Sequence, residues 1–276
     1  MKRLFSFNFI ASLCVASALL FSGCAKDKNG ERIIFSIEDD IALGNQVAAQ
    51  TDSIYQDKLL LPTDSRQNVK DAYAQINGIV QKILSSDKIS YRQEFNYNVK
   101  IIKDDNTLNA FATPGGHIYV FTGLIKKLDN EDQLAGVLGH EIAHADRRHT
   151  SKALEREYGL SVLLSILLGE NQNQLVQIGA GLATLKFGRD AETEADSYSV
   201  EYLGDTHYTC DGAAEFFKKM QQEEQAGKPP VFLSTHPGDE QRIKAITDKA
   251  TADNCIKPVA PASETNYQTL IRNLTF

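Results

Sequence analysis

The segment GVLGHEIAHADRRHT, residues 136–150, contains three histidines and a glutamate whose spacing could bind a metal ion. His140 and His144 are four positions apart, so in a helix their imidazoles lie one turn apart on the same face. In this H-E-x-x-H pattern the two histidines can bind Zn²⁺, and Glu141 can act as a general base toward water. The segment therefore predicts hydrolytic metal chemistry. The alternative is a surface helix that happens to carry two histidines.

A catalytic zinc ion usually takes three protein ligands, and His149 is an unsuitable third. If the helix continues past His144, His149 lies about 140° around it and points away from the metal. The pattern H-E-x-x-H-x-x-G-x-x-H would also need a glycine and a histidine where Arg147 and Thr150 stand. His149 is therefore expected to face solvent or to contact a ligand rather than the metal.

A better candidate lies downstream in GRDAETEADSYSVEYL, residues 188–203. Glu192 and Asp196 are four positions apart and share a helix face, whereas Glu194 is turned about 200° away. Glu192 could bind the metal while Asp196 accepts the outer N–H of a ligating histidine, which fixes its tautomer. The spacing alone leaves open a second interpretation, a solvated acidic helix face.

Together, the two segments resemble the paired signature of the HtpX-like metallopeptidases, relatives of the CAAX prenyl protease. The second family motif reads S-R-x-x-E-x-E-A-D, and Gly188 replaces its serine here. The residues that match it are Arg189, Glu192, Glu194, Ala195 and Asp196. The segments NAFATPGGHIYVFTGLI and STHP are also similar to family segments, so the resemblance covers roughly residues 37–245. It implies a gluzincin fold, one Zn²⁺ per chain, Glu192 as the third zinc ligand and Asp196 as the carboxylate behind a ligand.

His236, in STHP, matches a family position with a functional role. By resemblance it either donates a hydrogen bond to the oxyanion of the reaction or makes an occluding contact with the zinc. The alternative is that His236 and Pro237 only shape a loop. His117, at the start of HIYVF, is expected to pack or to face solvent rather than to bind metal.

The first 24 residues, MKRLFSFNFIASLCVASALLFSGC, combine a basic start, an apolar run and small residues before a cysteine. This pattern predicts a cleaved lipoprotein signal peptide over residues 1–23 and lipidation of Cys24. Residues 24–32 would form a tether, and the acyl chains would hold the protein on a membrane. The absence of aspartate at Ala25 favours the outer membrane, facing the periplasm. An uncleaved anchor and a plain signal peptide are the alternatives.

Two cysteines remain in the body of the chain. Cys14 lies in the predicted leader, so Cys210 and Cys255 are left in an exported, oxidising setting. A single pair has one connectivity, which predicts a Cys210–Cys255 disulfide. Two buried free thiols are the alternative.

Composition and periodicity indicate one mostly helical α+β domain with a small sheet near the H-E-x-x-H helix. The chain has 24% charged residues and a net charge of −7, so it lacks the basic surface that attracts nucleic acid. The domain is expected to span residues 33–250, and residues 251–276 form a tail without a prediction. The strand HIYVF is expected to present its edge to an extended peptide. The apolar stretch over residues 159–169 is too short to span a bilayer and is expected to be a buried helix.

These inferences favour a zinc metalloendopeptidase of the bacterial cell envelope that cleaves unfolded or misassembled polypeptides. One rival is an envelope chaperone or assembly factor with a structural zinc site, and another is a metal-binding lipoprotein without turnover. Glu141 argues against both rivals, because a structural site needs no general base.

Overall fold

The computed structural model describes residues 35–227, 230–237 and 240–276. The predicted signal peptide, Cys24 and tether therefore lie outside the described residues. Within them the chain is a mostly helical α+β domain with one small sheet, which confirms the predicted fold class.

Helices dominate the described residues. The helices are α1 (Ile37–Ile54), α2 (Gln67–Ile83), α3 (Thr122–Lys127), α4 (Glu131–Asp146), α5 (His149–Tyr158), α6 (Leu160–Leu167), α7 (Gln172–Gly181), α8 (Arg189–Gly204), α9 (Gly212–Gln225), α10 (Val231–Thr235), α11 (Glu240–Ala252) and α12 (Pro261–Asn273). Short 3₁₀ turns lie at Pro114–Gly116 and Leu182–Thr184.

The sheet has four strands in the order β1-β2-β4-β3. The strands are β1 (Leu59–Leu60), β2 (Val99–Ile102), β3 (Ala110–Ala112) and β4 (Ile118–Phe121). Strand β4 runs parallel to β2, and the other two pairs are antiparallel.

The expectation that HIYVF offers a free edge is wrong. This segment contains β4, which is paired on both sides, so β3 is the outer strand at that end of the sheet. The cause is the turn over Pro114–Gly116, where Gly115 adopts φ 69° and Gly116 φ 95°. Glycine reaches this left-handed region without steric cost, so the chain reverses and β3 folds back onto β4.

Helix α4, which carries the H-E-x-x-H motif, lies in the middle of the domain. All sixteen of its residues are buried, and it packs against α8 and α9, with α2 and β3 also in contact. Its first turn is capped by Asn130, whose Oδ1 accepts a hydrogen bond of 3.0 Å from the N–H of Gln133. The motif therefore lies on a buried helix and not on a surface helix.

The backbones of α4 and α9 approach each other at two glycines. A Cβ added to Gly136 would lie 2.2 Å from the nitrogen of Ala213, and one added to Gly212 would lie 2.2 Å from the oxygen of Asp132. No side chain fits at either position unless the helices move apart. The placement of α4 thus depends on glycine at this contact.

Gly136→Ala is expected to lower the free energy of unfolding by about 2–3 kcal/mol, because the added methyl group meets backbone atoms that cannot rotate away. Gly78→Ala on α2 is the matched control, since a Cβ there meets nothing within 4 Å. The control should be neutral or gain up to about 1 kcal/mol from helix propensity. Urea unfolding of both variants measures the difference, and equal stabilities would contradict the close approach.

The apolar stretch around α6 is only half buried. Leu163 and Ile166 lie in the core, whereas Leu164 is 40% exposed and Leu168 is 74% exposed. The expectation of a buried helix is thus met on one face only. Among the described helices, none combines the length and hydropathy that a bilayer-spanning segment requires.

The C-terminal residues, which had no prediction, form α12 and pack on α2 and α4. Ser263 Oγ donates a hydrogen bond of 2.6 Å to Asp132 Oδ2 in the first turn of α4. Tyr267 is fully buried and donates a hydrogen bond of 2.6 Å from its hydroxyl to the carbonyl of Ile125. Helix α12 therefore covers the start of the motif helix.

Cys210 and Cys255 are joined by a disulfide. Cys210 precedes α9, and Cys255 follows α11, so the bond links the ends of two helices that pack on each other.

Candidate metal centre

Four buried side chains from three parts of the chain meet at one point. His140 and His144 come from α4, Glu192 from α8, and His236 from the segment after α10. One ligand atom from each lies within 4.8 Å of all the others. Each of the four side chains is at most 1% exposed. The cluster unites the two histidines and the distant glutamate of the sequence prediction and adds His236 to them.

The spacing of these atoms fits a small tetrahedral cation. His140 Nε2 lies 3.0 Å from His144 Nε2 and 3.5 Å from Glu192 Oε2. Glu192 Oε1 lies 3.6 Å from His144 Nε2. Ligands at about 2.1 Å from Zn²⁺ in a tetrahedron are about 3.4 Å from one another. Two imidazoles and one carboxylate at these separations are a donor set that suits zinc.

Asp196 lies behind His140, where Glu192 and Asp196 present the same face of α8. Asp196 Oδ1 is 3.0 Å from His140 Nδ1, the nitrogen that points away from the cluster. Because His140 and Asp196 are both nearly fully buried, this contact holds the imidazole with its Nε2 toward the cluster.

Arg242 on α11 is a residue that the sequence analysis missed. Its Nε and Nη2 each lie 2.7 Å from an oxygen of Asp196, a two-pronged contact, and its Nη1 lies 2.8 Å from Glu192 Oε2. One guanidinium therefore fixes both carboxylates. Arg242 is 46 residues from Asp196 along the chain. No spacing rule connects positions so far apart, so the pattern held no signal for it.

The pKa values of the two glutamates at the cluster shift in opposite directions. Burial raises the pKa of Glu141, against the lowering effect of His236 and His140. Burial would also raise the pKa of Glu192, but His236, His140 and His144 outweigh it and hold that pKa well below its usual range. Glu192 is therefore a permanent anion suited to a cation, whereas Glu141 is the more basic carboxylate.

Glu141 lies beside the cluster without being part of it. Neither of its oxygens makes a well-formed hydrogen bond, although the N–H of Ala112 in β3 lies close enough to lower its pKa slightly. Its Oε1 is 3.7 Å from His236 Nε2. A buried carboxylate that is not committed to a strong partner is available to accept a proton.

His236 occupies the side of the cluster that faces Glu141. Its Nδ1 lies 3.0 Å from Glu192 Oε1 and 3.4 Å from His140 Nε2. The ring stacks on Phe232, with centroids 4.4 Å apart, and lies 5.2 Å from Phe187. His236 thus sits among the candidate ligands and covers them.

His149 is buried, and the reason is a break in the helix. Helix α4 ends at Asp146, and Arg148 adopts φ 61°, so the chain does not continue straight past His144. His149 Nδ1 comes to 3.1 Å from His144 Nδ1. Of the two expected positions for His149, solvent exposure is wrong and contact with a ligand is what the structure has.

His117 lies away from the cluster, between two asparagines. Its Nε2 is 3.0 Å from Asn45 Oδ1, and its Nδ1 is 3.0 Å from Asn98 Oδ1. Burial and, to a smaller extent, the charge of Lys100 lower the pKa of His117 to about 4. The residue packs, as expected, and remains neutral at physiological pH.

This lowered pKa predicts a pH dependence of stability. Unfolding restores the pKa of His117 to about 6.5, so the unfolded chain binds the additional proton between pH 6.5 and about 4. The stabilising contribution is therefore complete above pH 6.5 and is lost as the pH falls toward 4. Relative to His117→Gln, the wild type should lose up to about 3 kcal/mol over that range. Urea unfolding at pH 7.5, 5.5 and 4.5 measures this, and a constant difference would contradict it.

Comparison with known proteins gives the family of this chain. A family model described as peptidase family M48 matches residues 71–250, well over half of the chain. The chain belongs to peptidase family M48. Members of M48 are metallopeptidases, and the enzyme class predicted from H-E-x-x-H is confirmed.

Several named proteases are similar to this chain. The mitochondrial metalloendopeptidase OMA1 of Schizosaccharomyces pombe is 29% identical over 180 residues, which cover 63% of this chain and 51% of that protein. The beta-barrel assembly-enhancing protease of Yersinia pestis is 32% identical over 178 residues, 59% of this chain and 36% of the relative. Metalloprotease LoiP of Escherichia coli is 30% identical over 168 residues, 58% of this chain and 65% of LoiP. The chain thus spans less than two thirds of each of these relatives.

Proposed function

We propose that this M48 metallopeptidase is a zinc-dependent endopeptidase of the bacterial cell envelope that cleaves unfolded or misassembled proteins. His140, His144 and Glu192 are the metal ligands, Glu141 is the general base, and Asp196 orients His140. The observation that carries the proposal is that ring nitrogens of His140 and His144 and the carboxylate of Glu192 lie 3.0–3.6 Å apart in the interior, with the weakly partnered Glu141 beside them.

The chemistry divides between the metal and the protein. Bound Zn²⁺ supplies Lewis acidity that activates water and polarises a carbonyl group. Glu141 removes the proton from the attacking water and passes it to the leaving amine. Asp196 and Arg242 keep the ligand set in one arrangement, so that little reorganisation accompanies the reaction.

Strand β3 is the proposed docking edge for the substrate, in place of β4. The N–H of Thr113 bonds the carbonyl of His117, and the N–H of Phe121 bonds that of Asn109. Because hydrogen-bonded pairs alternate in an antiparallel ladder, the backbone groups of Ala110 and Ala112 point away from β4. Ala112 is beside Glu141, so a peptide paired with β3 would pass the general base. To pair there, the peptide would have to replace Thr150 Oγ1, which donates a hydrogen bond of 3.0 Å to the carbonyl of Ala112.

Helix α10 is bonded to the segment that leads into β3. The N–H of Phe232 donates a hydrogen bond of 3.1 Å to the carbonyl of Leu108, just before β3. A peptide paired with β3 would therefore compete with α10 for this region. This arrangement supports the occluding role of His236 over the oxyanion role.

Three supports favour the envelope location and the substrate class. The predicted lipoprotein leader and Cys24 would place the chain on a membrane surface, with the outer membrane as its site. One similar protein is named a beta-barrel assembly-enhancing protease, and another is named metalloprotease LoiP. Backbone pairing with β3 gives affinity with little sequence preference, which suits unfolded chains.

The test uses the full chain in mild detergent, first assayed for bound zinc and then incubated with unfolded casein. We expect one zinc per chain, cleavage of casein, loss of cleavage with a chelator and recovery when Zn²⁺ is returned. Cleavage that is insensitive to the chelator would exclude a metal mechanism. Zinc binding with suppression of casein aggregation and no cleavage would favour a chaperone.

A further inference from the structure

The candidate ligand His144 has a partner on the side away from the metal cluster. Its Nε2 faces His140 and Glu192, while its Nδ1 lies 3.1 Å from Nδ1 of His149. Both imidazoles are buried, so neither nitrogen can exchange this contact for water. The contact must therefore be a hydrogen bond between two specific ring nitrogens.

The break after α4 is what brings His149 to this position. Arg148 has a left-handed backbone conformation. Its guanidinium forms a buried ion pair in which Nε lies 2.5 Å from Asp40 Oδ2. On the other side of His149, Thr150 Oγ1 donates a hydrogen bond of 3.0 Å to the carbonyl of Ala112. Both neighbours of His149 are thus anchored, one to α1 and one to β3.

The protons along this contact follow from metal binding through Nε2. A neutral imidazole that binds metal at Nε2 carries its proton on Nδ1, so His144 donates to His149 Nδ1. His149 then carries its own proton on Nε2. That nitrogen lies 3.2 Å from Glu194 Oε2, which accepts the hydrogen bond. The N–H groups of His144 and His149 in this series of hydrogen bonds thus each have an acceptor.

Glu194 is itself held in place. Its Oε1 lies 2.6 Å from Arg147 Nε, and the Arg147 guanidinium lies over the ring of Tyr198, 4.4 Å from the centroid. Glu194 is two residues from Glu192 on α8. It contacts His149, which lies on the side of His144 that faces away from the metal cluster. The same helix spacing that turns Glu194 away from the metal directs it toward His149.

We propose that His149 and Glu194 are positioning residues, which form a Glu194–His149–His144 relay that fixes the tautomer and orientation of His144. This inference rests on the proposed metal site. His140 meets its carboxylate directly at Asp196, whereas His144 reaches Glu194 through His149. The two ligands thus receive equivalent support from opposite sides of α8.

The experiment measures Zn²⁺ affinity by competition with a chromophoric chelator, and the visible absorption of the Co²⁺-loaded chain. His149→Phe keeps a buried ring but removes both hydrogen bonds, and it should weaken Zn²⁺ binding about 10–100-fold and shift the Co²⁺ bands. Glu194→Gln leaves His149 in place, and it should weaken binding about tenfold. Glu201→Gln is the matched control on α8, because Glu201 pairs only with Lys249 in the described contacts and should bind as the wild type does.

The double variant decides between a relay and independent packing effects. If Glu194 acts through His149, then His149→Phe with Glu194→Gln should bind Zn²⁺ no more weakly than His149→Phe alone. Additive losses, or wild-type affinity and Co²⁺ spectra in both single variants, would overturn the relay. If His149→Phe does not fold, Glu194→Gln against Glu201→Gln still tests it. A wild type that binds neither metal would instead overturn the proposed metal site.

Discussion

Glu141→Gln should lower the rate of casein cleavage about 10²–10⁴-fold, the usual contribution of a general base. The amide occupies the same volume as the carboxylate but cannot accept the proton of the attacking water. Glu141 has no strong hydrogen bond to lose, and burial already works against its charge, so the variant should fold at least as stably. Zinc content should remain one per chain, because Glu141 is outside the ligand set.

The control for this variant is Glu131→Gln, another buried glutamate of the same helix. Glu131 Oε1 accepts a hydrogen bond of 3.0 Å from Gln75, far from the cluster. Loss of the Glu131 charge should therefore leave the rate of casein cleavage unchanged. Equal cleavage by the wild type and Glu141→Gln would point to a contaminating protease. A simultaneous loss of zinc would place Glu141 among the metal ligands instead.

His236→Ala should raise the cleavage rate about 10–100-fold. His236 makes a buried hydrogen bond to the charged Glu192 and covers the side of the cluster next to Glu141. A buried hydrogen bond to a charged group is worth about 1.5–3 kcal/mol, so its removal should shift the balance toward the uncovered state by this factor. The activity gain follows as long as the covered state dominates in the wild type.

Ser234→Ala is the matched control for His236→Ala. Ser234 is exposed on α10, and its hydroxyl bonds only the carbonyl of Val231 within the described contacts. This variant should cleave casein at the wild-type rate. A fall in activity of 10²-fold or more in His236→Ala, with zinc retained, would establish the oxyanion role instead.

Local patterns predicted the elements that carry the site. Ser36 and Asp39 form a capping box at the start of α1, with both reciprocal hydrogen bonds present. The i, i+4 spacing of His140 with His144, and of Glu192 with Asp196, places each pair on one helix face, as helix geometry requires. Such features depend only on a few consecutive residues, so the sequence contains all the information needed.

The features that failed or were missed depend on contacts between distant parts of the chain. The helix break at Arg148 is stabilised by Asp40, more than a hundred residues earlier, and the periodicity around His144 gave no sign of it. Strand β4 became an interior strand because β3 pairs on its far side, a choice that alternation along HIYVF does not encode. Arg242 belongs to the site only because α11 packs on α8.

The burial of α1 and α12, the first and last helices of the described residues, sets the order in which this domain can become functional. Leu43 and Val47 of α1, and Tyr267 and Leu270 of α12, are all completely buried, and α12 covers the first turn of α4. Helix α12 packs on α2 and α4, and Asn68 Nδ2 of α2 donates a hydrogen bond to the carbonyl of Asn273, 205 residues later. Contacts of this separation form only after α12 has left the ribosome. A nascent chain thus lacks the finished α4 environment until α12 is made, so we expect no proteolytic activity before α12 has folded onto α4.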